Sequence, residues 1–483
     1  MTEPSDSFDV AVVGGGAAGL WTAVCAAELG ASVCLISRKP LSESASFRAQ
    51  GGLAAALERG DSPAQHAADT IAAGRGLCRP SAVEILAAEA PGAVRELRER
   101  GVEFDLDDRG EPALGLEGGH TRRRIVHSGG SRTGRELTLK LTAMVDSASG
   151  VTVRESLSAI ALLSDGERCA GVRTDRGEVA AGATVLATGG AAALWQRSTN
   201  PWGAIGAGCV LAADAGADLA DLEFCQFHPT ALSRPGTPED GMLITEAVRG
   251  EGARLLDAAG KRFTDELAPR DAVTAAILDR MEADGTSHVL LDLGPVDPGR
   301  FPSVFADLER AGLDPAAGPV PVAPAAHYLM GGVQVDLDGA STLPGLYAVG
   351  ETACTGLHGA NRLASNSLTE CFVFGARTAR AAVEHGVPRP RGRPRPARAF
   401  APPTEATRER VWRLAGPRRD AGELGLLLED PYPLARAIAA AALARRESRG
   451  GHLRRDAPAL DPGLDGVHFV VGPGGRVDRR RWA

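Results

Sequence analysis

Lysine is almost missing from this chain of 483 residues: Lys39, Lys140 and Lys261 stand against abundant arginine. The deficit accompanies a high alanine content and reads as coding bias rather than chemistry. The formal net charge is −8, with no basic stripe of the kind that tracks nucleic acid, so no nucleic-acid partner is expected. Cysteine is scattered (Cys25, Cys34, Cys78, Cys169, Cys209, Cys225, Cys354, Cys371), with no C-x-x-C pair or cluster. That spacing excludes the usual metal and iron–sulfur ligand sets within the chain, and free thiols in a reducing compartment are expected. No run of about eighteen apolar residues occurs, so no membrane span is expected. The opening MTEPSDSFDV has neither a basic region nor an apolar core, and the expected location is therefore the cytoplasm.

What is present begins at Phe8. FDVAVV is a short apolar run, GGGAAG follows, then LWTAVCAAELG at helical spacing and SVCLIS. This is strand, glycine turn, helix and strand, with Gly30 closing the helix. Gly14, Gly16 and Gly19 form G-x-G-x-x-G: one glycine for the tight turn, one for approach to a pyrophosphate, one for helix–strand packing. The acid that would hold a ribose about twenty residues on is missing, and Ser37 and Arg38 stand there instead. Two further apolar runs, Thr184–Gly190 and Gly345–Glu351, also end in glycine. Three such strands fit one parallel sheet split by an insertion, a pattern expected of two-dinucleotide-fold flavoproteins, with Glu351 meeting ribityl or ribose hydroxyls.

The expected organisation is α/β: a Rossmann-like FAD-binding domain in residues 1–223 and 329–388, interrupted by an α+β capping domain in 224–328. A Pro/Arg-rich linker and a small helical C-terminal domain fill 389–483. The stretch HGANRLASNSL (His358–Leu368) precedes an apolar helical segment, and Ser367 with Glu370 has capping-box spacing. A helix start offers unpaired N–H groups to an anion, and Arg362 beside it suggests a second anion nearby.

Several segments together resemble the L-aspartate oxidases, a branch of the fumarate reductase/succinate dehydrogenase flavoprotein family. They are AQGGLAA (Ala49–Ala55), EGGHTRRRIVH (Glu117–His127), FCQFHPTAL (Phe224–Leu232), LITEAVRGEGA (Leu243–Ala253), ELAPRD (Glu266–Asp271), PAAHYLMGG (Pro324–Gly332), GLHGANRLASNSL (Gly356–Leu368) and RRESRG (Arg445–Gly450). The resemblance implies FAD-dependent oxidation of L-aspartate to iminoaspartate, with reoxidation by O2 or fumarate. It also implies a place in NAD biosynthesis upstream of quinolinate synthase. Covalent members of the family carry a histidine where this chain has Ala45, so a non-covalent flavin is implied.

The FAD set implied is Gly14, Gly15, Gly16, Ala17, Ala18 and Gly19; Ser37 and Arg38; Ala45, Ser46, Phe47, Arg48, Ala49, Gln50, Gly51 and Gly52; Glu351; and Ser365, Asn366, Ser367 and Leu368. On the substrate side, Arg362 and His327 would hold one carboxylate, His228 and Thr245 the other, and Glu117 the ammonium. Arg270 matches the family's proton-handling arginine, and Gln226 and Glu246 complete the catalytic set. One departure is Ala207, where the family commonly has an aspartate that reaches the FAD.

Other readings stay open at this point: a fumarate reductase or succinate dehydrogenase flavoprotein subunit, or a flavin-binding protein without turnover. In isolation the FHPT and AHY histidines read as satisfied core residues. Glu246 and Arg249 read as a simple pair, and the ALARRESRG arginines as a solvated helix face.

Overall fold

The computed structural model describes residues 7–164, 167–385 and 395–482. Much of the Pro/Arg-rich linker, 386–394, therefore lies outside the described residues. The apolar alternations of the sequence become a central sheet in which Ser7–Val13 lies between Val33–Ile36 and Gly177–Leu186, both parallel to it. Leu346–Ala348 joins parallel to Gly177–Leu186, so the three strands that end in glycine meet side by side. Helix Ala17–Glu28 packs on this sheet and against the long helix Asn366–Glu384 from the far end of the domain. Trp21 is central to that contact: its indole N–H donates to Phe372 O at 3.0 Å, and the two rings meet edge to face.

Between the halves of this sheet, Cys225–Leu232, Val320–Leu329, Val289–Asp292 and Arg254–Leu256 form a separate four-stranded antiparallel sheet. Helix Arg270–Asp284 lies on it, and the cluster around Ile244, Leu255, Ile277 and Leu291 is its own core. The pairing of Cys225–Leu232 is bulged between Gln226 and Phe227 and again between His228 and Ala231. Bulges re-aim side chains, and these two flank the residues that matter below.

The last part of the chain contains helices Glu405–Leu414, Ala421–Leu427 and Pro433–Ala444. A hairpin, His468–Val471 with Val477–Arg480, follows and extends the sheet containing Leu219–Ala220 and Gly332–Gln334. Of the ALARRESRG arginines Arg446 is exposed, but Arg445 and Arg449 do not belong to a solvated helix face. The helix stops at Ala444; Arg445 and Arg449 are buried, and Arg445 pairs with Glu223 and Glu447 at 2.7 and 2.8 Å. The reason is tertiary: a carboxylate from a distant segment is waiting inside.

Among the described residues the cysteines are free, no group of side chains is placed to hold a metal ion, and no helix is long and apolar enough to cross a membrane.

Candidate active site

The first glycine turn is built by steric necessity. Gly14 has φ +127°, and a Cβ there would sit 2.1 Å from Ala187 O; a Cβ on Gly19 would sit 1.9 Å from Gly14 O. Only glycine lets this helix start approach the sheet so closely. Gly16 is the helix N-cap and Gly15 precedes it; the cap residue has no side chain to bond the helix start, and no acid stands in its first turn. Ala17 N donates to Ser46 Oγ at 3.0 Å, while Ala18 and Gly19 continue the helix. This end is therefore open to an anion. Ser37 is buried and donates to Lys39 O at 2.6 Å; Arg38 is exposed and donates to Gly203 O at 3.1 Å.

The segment Ala45–Gly52 runs from that helix start to a second one. Ala45 caps the short turn Ser46–Arg48, with Phe47 N donating to Ser44 Oγ, and Ala49 follows. Gln50 Oε1 is buried without a partner, Gly51 faces Ser365 and Glu117, and Gly52 N donates to Ser365 Oγ at 3.2 Å. Ser365 is the N-cap of helix Asn366–Glu384 in the left-handed conformation, φ +59°, and again no side chain caps the helix.

The capping box expected from Ser367 and Glu370 does not form, because the helix begins one residue before Ser367. Ser367 Oγ instead accepts from Arg362 Nη1 at 2.9 Å, and Glu370 accepts from Thr355 and lies against His358 and Tyr328. The Asn366 side chain is also turned away from the opening, taken up by Thr70 and His66, which leaves only its backbone for a ligand. Leu368 is buried in the same first turn. Glu351 accepts from Leu329 N at 3.0 Å, and burial raises its carboxyl to about 8.

Two open helix ends, joined by a segment with an orphaned amide oxygen and no nucleophile at Ala45, suit a long anionic dinucleotide held without a covalent bond. Ala207, the first residue of helix Ala207–Asp214, places only a methyl group at that helix start.

The substrate side is a buried convergence of cations. Arg362 Nη2 and Arg270 Nη1 both donate to Gln226 Oε1, at 3.3 and 3.1 Å. Gln226 is oriented by its own amide, which donates to Asn361 Oδ1 and Arg362 O. Arg270 is neutralised by Glu246 at 2.5 Å, and Glu246 is also shared with Arg249 at 3.4 Å and Gly118 N at 2.9 Å. Burial alone would raise Glu246, but Arg270 and Arg249 outweigh it and hold the carboxyl at about 2. Arg362 has no such partner. It is 4% exposed, its Nε is unpaired, and no carboxylate bridges it among the described residues; its guanidinium lies over the Tyr328 ring at 4.7 Å. Burial and the neighbouring Arg270 depress it to about 10.

His228 and His327 meet with ring centroids 5.1 Å apart. Thr230 N donates to His228 Nδ1 at 3.3 Å, and Thr199 Oγ1 lies 2.7 Å from His327 Nδ1. A backbone N–H can only donate, so His228 Nδ1 accepts and its neutral ring presents Nε2–H as a donor. Burial first, then nearby Arg270, holds both histidines well below their ordinary range. Glu117 is buried and accepts from Ser365 Oγ at 2.6 Å. Thr245 is buried next to Glu246, with its hydroxyl accepting from Ala247 N rather than bonded to His228. The bulged strand, its partner Val320–Leu329, helix Arg270–Asp284 and the segment before the long helix thus bring Gln226, His228, His327, Arg270 and Arg362 together, with Glu246 and Glu117 at the edge.

Thr199, Asn200 and Asn361 were not foreseen. Asn361 adjoins Arg362 and was within reach of the motif. Thr199 and Asn200, which fix His327, lie about 130 residues upstream with no local signal.

Residues 9–368 match the FAD binding domain family, and residues 420–478 match the fumarate reductase flavoprotein C-terminal family. The chain is 44% identical to an L-aspartate oxidase of Caulobacter vibrioides, over 100% of both chains. It is 48% identical to an L-aspartate oxidase of Nostoc sp., over 77% of this chain and 67% of that one. Among solved structures it is similar to E. coli quinol fumarate reductase, with a TM-score of 0.89, 26% identity, and coverage of 99% of this chain and 97% of the other.

Proposed function

The chain belongs to the L-aspartate oxidase family of FAD flavoproteins, and from that premise we propose that it oxidises L-aspartate to iminoaspartate. The observation that carries the reading is Arg362, a buried cation with an unpaired nitrogen and, among the described residues, no carboxylate of its own. Leaving such a group unpaired is costly, and an incoming carboxylate relieves that cost through two parallel hydrogen bonds. Neutral His228 adds an Nε2–H donor beside the His327 ring, and Thr245 closes the far side. A dicarboxylate therefore finds donors at both ends. Glu117 gives the ligand's ammonium a carboxylate, a group that succinate would not need.

The residues proposed to hold FAD are the two open helix starts, at Gly14–Gly19 and Ser365–Leu368, with Ala45–Gly52 between them and Glu351 beside them. When bound, FAD supplies the acceptor for the hydride that leaves C2. The protein's part is positional: Arg362 and the histidines fix the diacid, and Gln226 sets the two guanidinium groups apart. Arg270 serves as a cationic clamp, paired with Glu246, whose carboxyl stays ionised across the neutral range.

On this reading the electrons pass to O2, giving H2O2, or to fumarate. The reaction is the first step of NAD biosynthesis, its product passing to quinolinate synthase downstream, in the cytoplasm, and residues 224–328 act as a cap over 1–223 and 329–388. Aerobic assay tests the reading: peroxide is expected with aspartate and not with succinate, and the reverse preference would instead mark a fumarate reductase or succinate dehydrogenase subunit.

A further inference from the structure

The turn Gly74-Arg75-Gly76 offers each of its three carbonyls to a different part of the molecule. Gly74 O accepts from Ala360 N at 3.0 Å, in the segment that carries Arg362. Arg75 O accepts from Arg449 Nη1 at 2.5 Å, and Gly76 O from Gly466 N at 2.9 Å, both in the C-terminal region. Those directions require two successive left-handed residues. Gly76 at φ +78° adopts the conformation freely, whereas Arg75 at φ +55° carries a side chain there at a steric cost.

That side chain reaches the cap. Arg75 Nε and Nη2 donate to Asp271 Oδ2 and Oδ1 at 2.7 and 3.0 Å, a two-pronged pair with the residue adjoining Arg270. Asp271 is 8% exposed and lies in the first turn of helix Arg270–Asp284, whose open end also favours its charge.

We propose that Arg75 is a positioning residue: its pair with Asp271 latches the cap helix to the turn that holds the Arg362 segment, and so fixes the gap between Arg270 and Arg362 that a dicarboxylate must fit. The proposal rests on the functional reading above. The strained backbone persists because three partners hold the turn. The latch spans the two units that carry the two arginines, so losing it opens the gap and weakens substrate binding more than the chemical step.

The test uses the FAD-loaded protein with Arg75→Gln, Asp271→Asn, the double variant, and Arg75→Lys. KM for aspartate is expected to rise about tenfold in each of Arg75→Gln and Asp271→Asn, the scale of one charge-assisted pair. Turnover per bound flavin should fall less than threefold, the double variant should match the worse single, and Arg75→Lys should recover part of the loss. Independently of turnover, backbone amides of 270–276 should exchange faster with solvent in both single variants. An unchanged KM, unchanged exchange in either single variant, effects that multiply in the double variant, or loss of FAD from every variant overturns the proposal. If the unaltered protein fails to oxidise aspartate, the functional reading falls, and the exchange measurement still decides whether the latch exists.

Discussion

Arg362 is where single-residue chemistry is most exposed to test. Its guanidinium is held by Ser367, Gln226 and the face of Tyr328, which leaves Nε–H and one N–H on each Nη for a ligand. Lysine keeps the charge but loses the fork, so Arg362→Lys should cost about 2–3 kcal/mol of dicarboxylate binding. That appears as a rise in KM of about 30- to 150-fold in steady-state assays. The histidines make a second prediction. Both sit well below the ordinary range, so the free protein keeps them neutral from pH 6 to 8. The profile of kcat/KM against pH should be flat there, and an inflection near 6.5 would contradict the assignment of both rings as neutral. Ala207 makes a third. Ala207→Asp restores a carboxylate at the start of helix Ala207–Asp214 and should tighten FAD by about 1–2 kcal/mol, read as a lower Kd by fluorescence titration.

Individual elements show which signals a sequence carries and which it hides. Strand, glycine turn and helix at Ser7–Glu28 were legible because their periodicity and steric demands are local. The start of helix Asn366–Glu384 was legible as a helix start and misread as a capping box, since Ser365 takes the left-handed conformation and Glu370 is drawn to His358 and Tyr328. Capping geometry is decided by partners that a local pattern does not contain. The strain at Ser365 gives this element its own prediction. Ser365→Gly removes a left-handed penalty of about 1 kcal/mol yet also removes the hydroxyl that joins Glu117 to Gly52. Melting temperature should hold or rise slightly while kcat/KM for aspartate falls; a parallel loss of both would contradict the division of roles.

At the scale of the whole molecule, the central fact is that charge is buried where three regions meet. Arg445, Glu223 and Glu447 are each fully enclosed and join the C-terminal region to the strand that leads to Gln226. Nothing in RRESRG announces this, because the matching Glu223 is over two hundred residues away. Arg445→Leu leaves Glu223 without its cation, with an expected loss of about 3–5 kcal/mol of stability in chemical denaturation. The candidate site was more legible than this framework: its residues sit in short motifs, whereas the framework depends on pairs that meet only after folding.

The most direct measurement is an anaerobic titration of the flavin-loaded protein, following the visible flavin absorbance with aspartate and succinate side by side. Bleaching by aspartate at stoichiometric turnover, with succinate leaving the spectrum intact, is the predicted result. Bleaching by succinate alone, or by neither, would contradict a site built around an amino diacid.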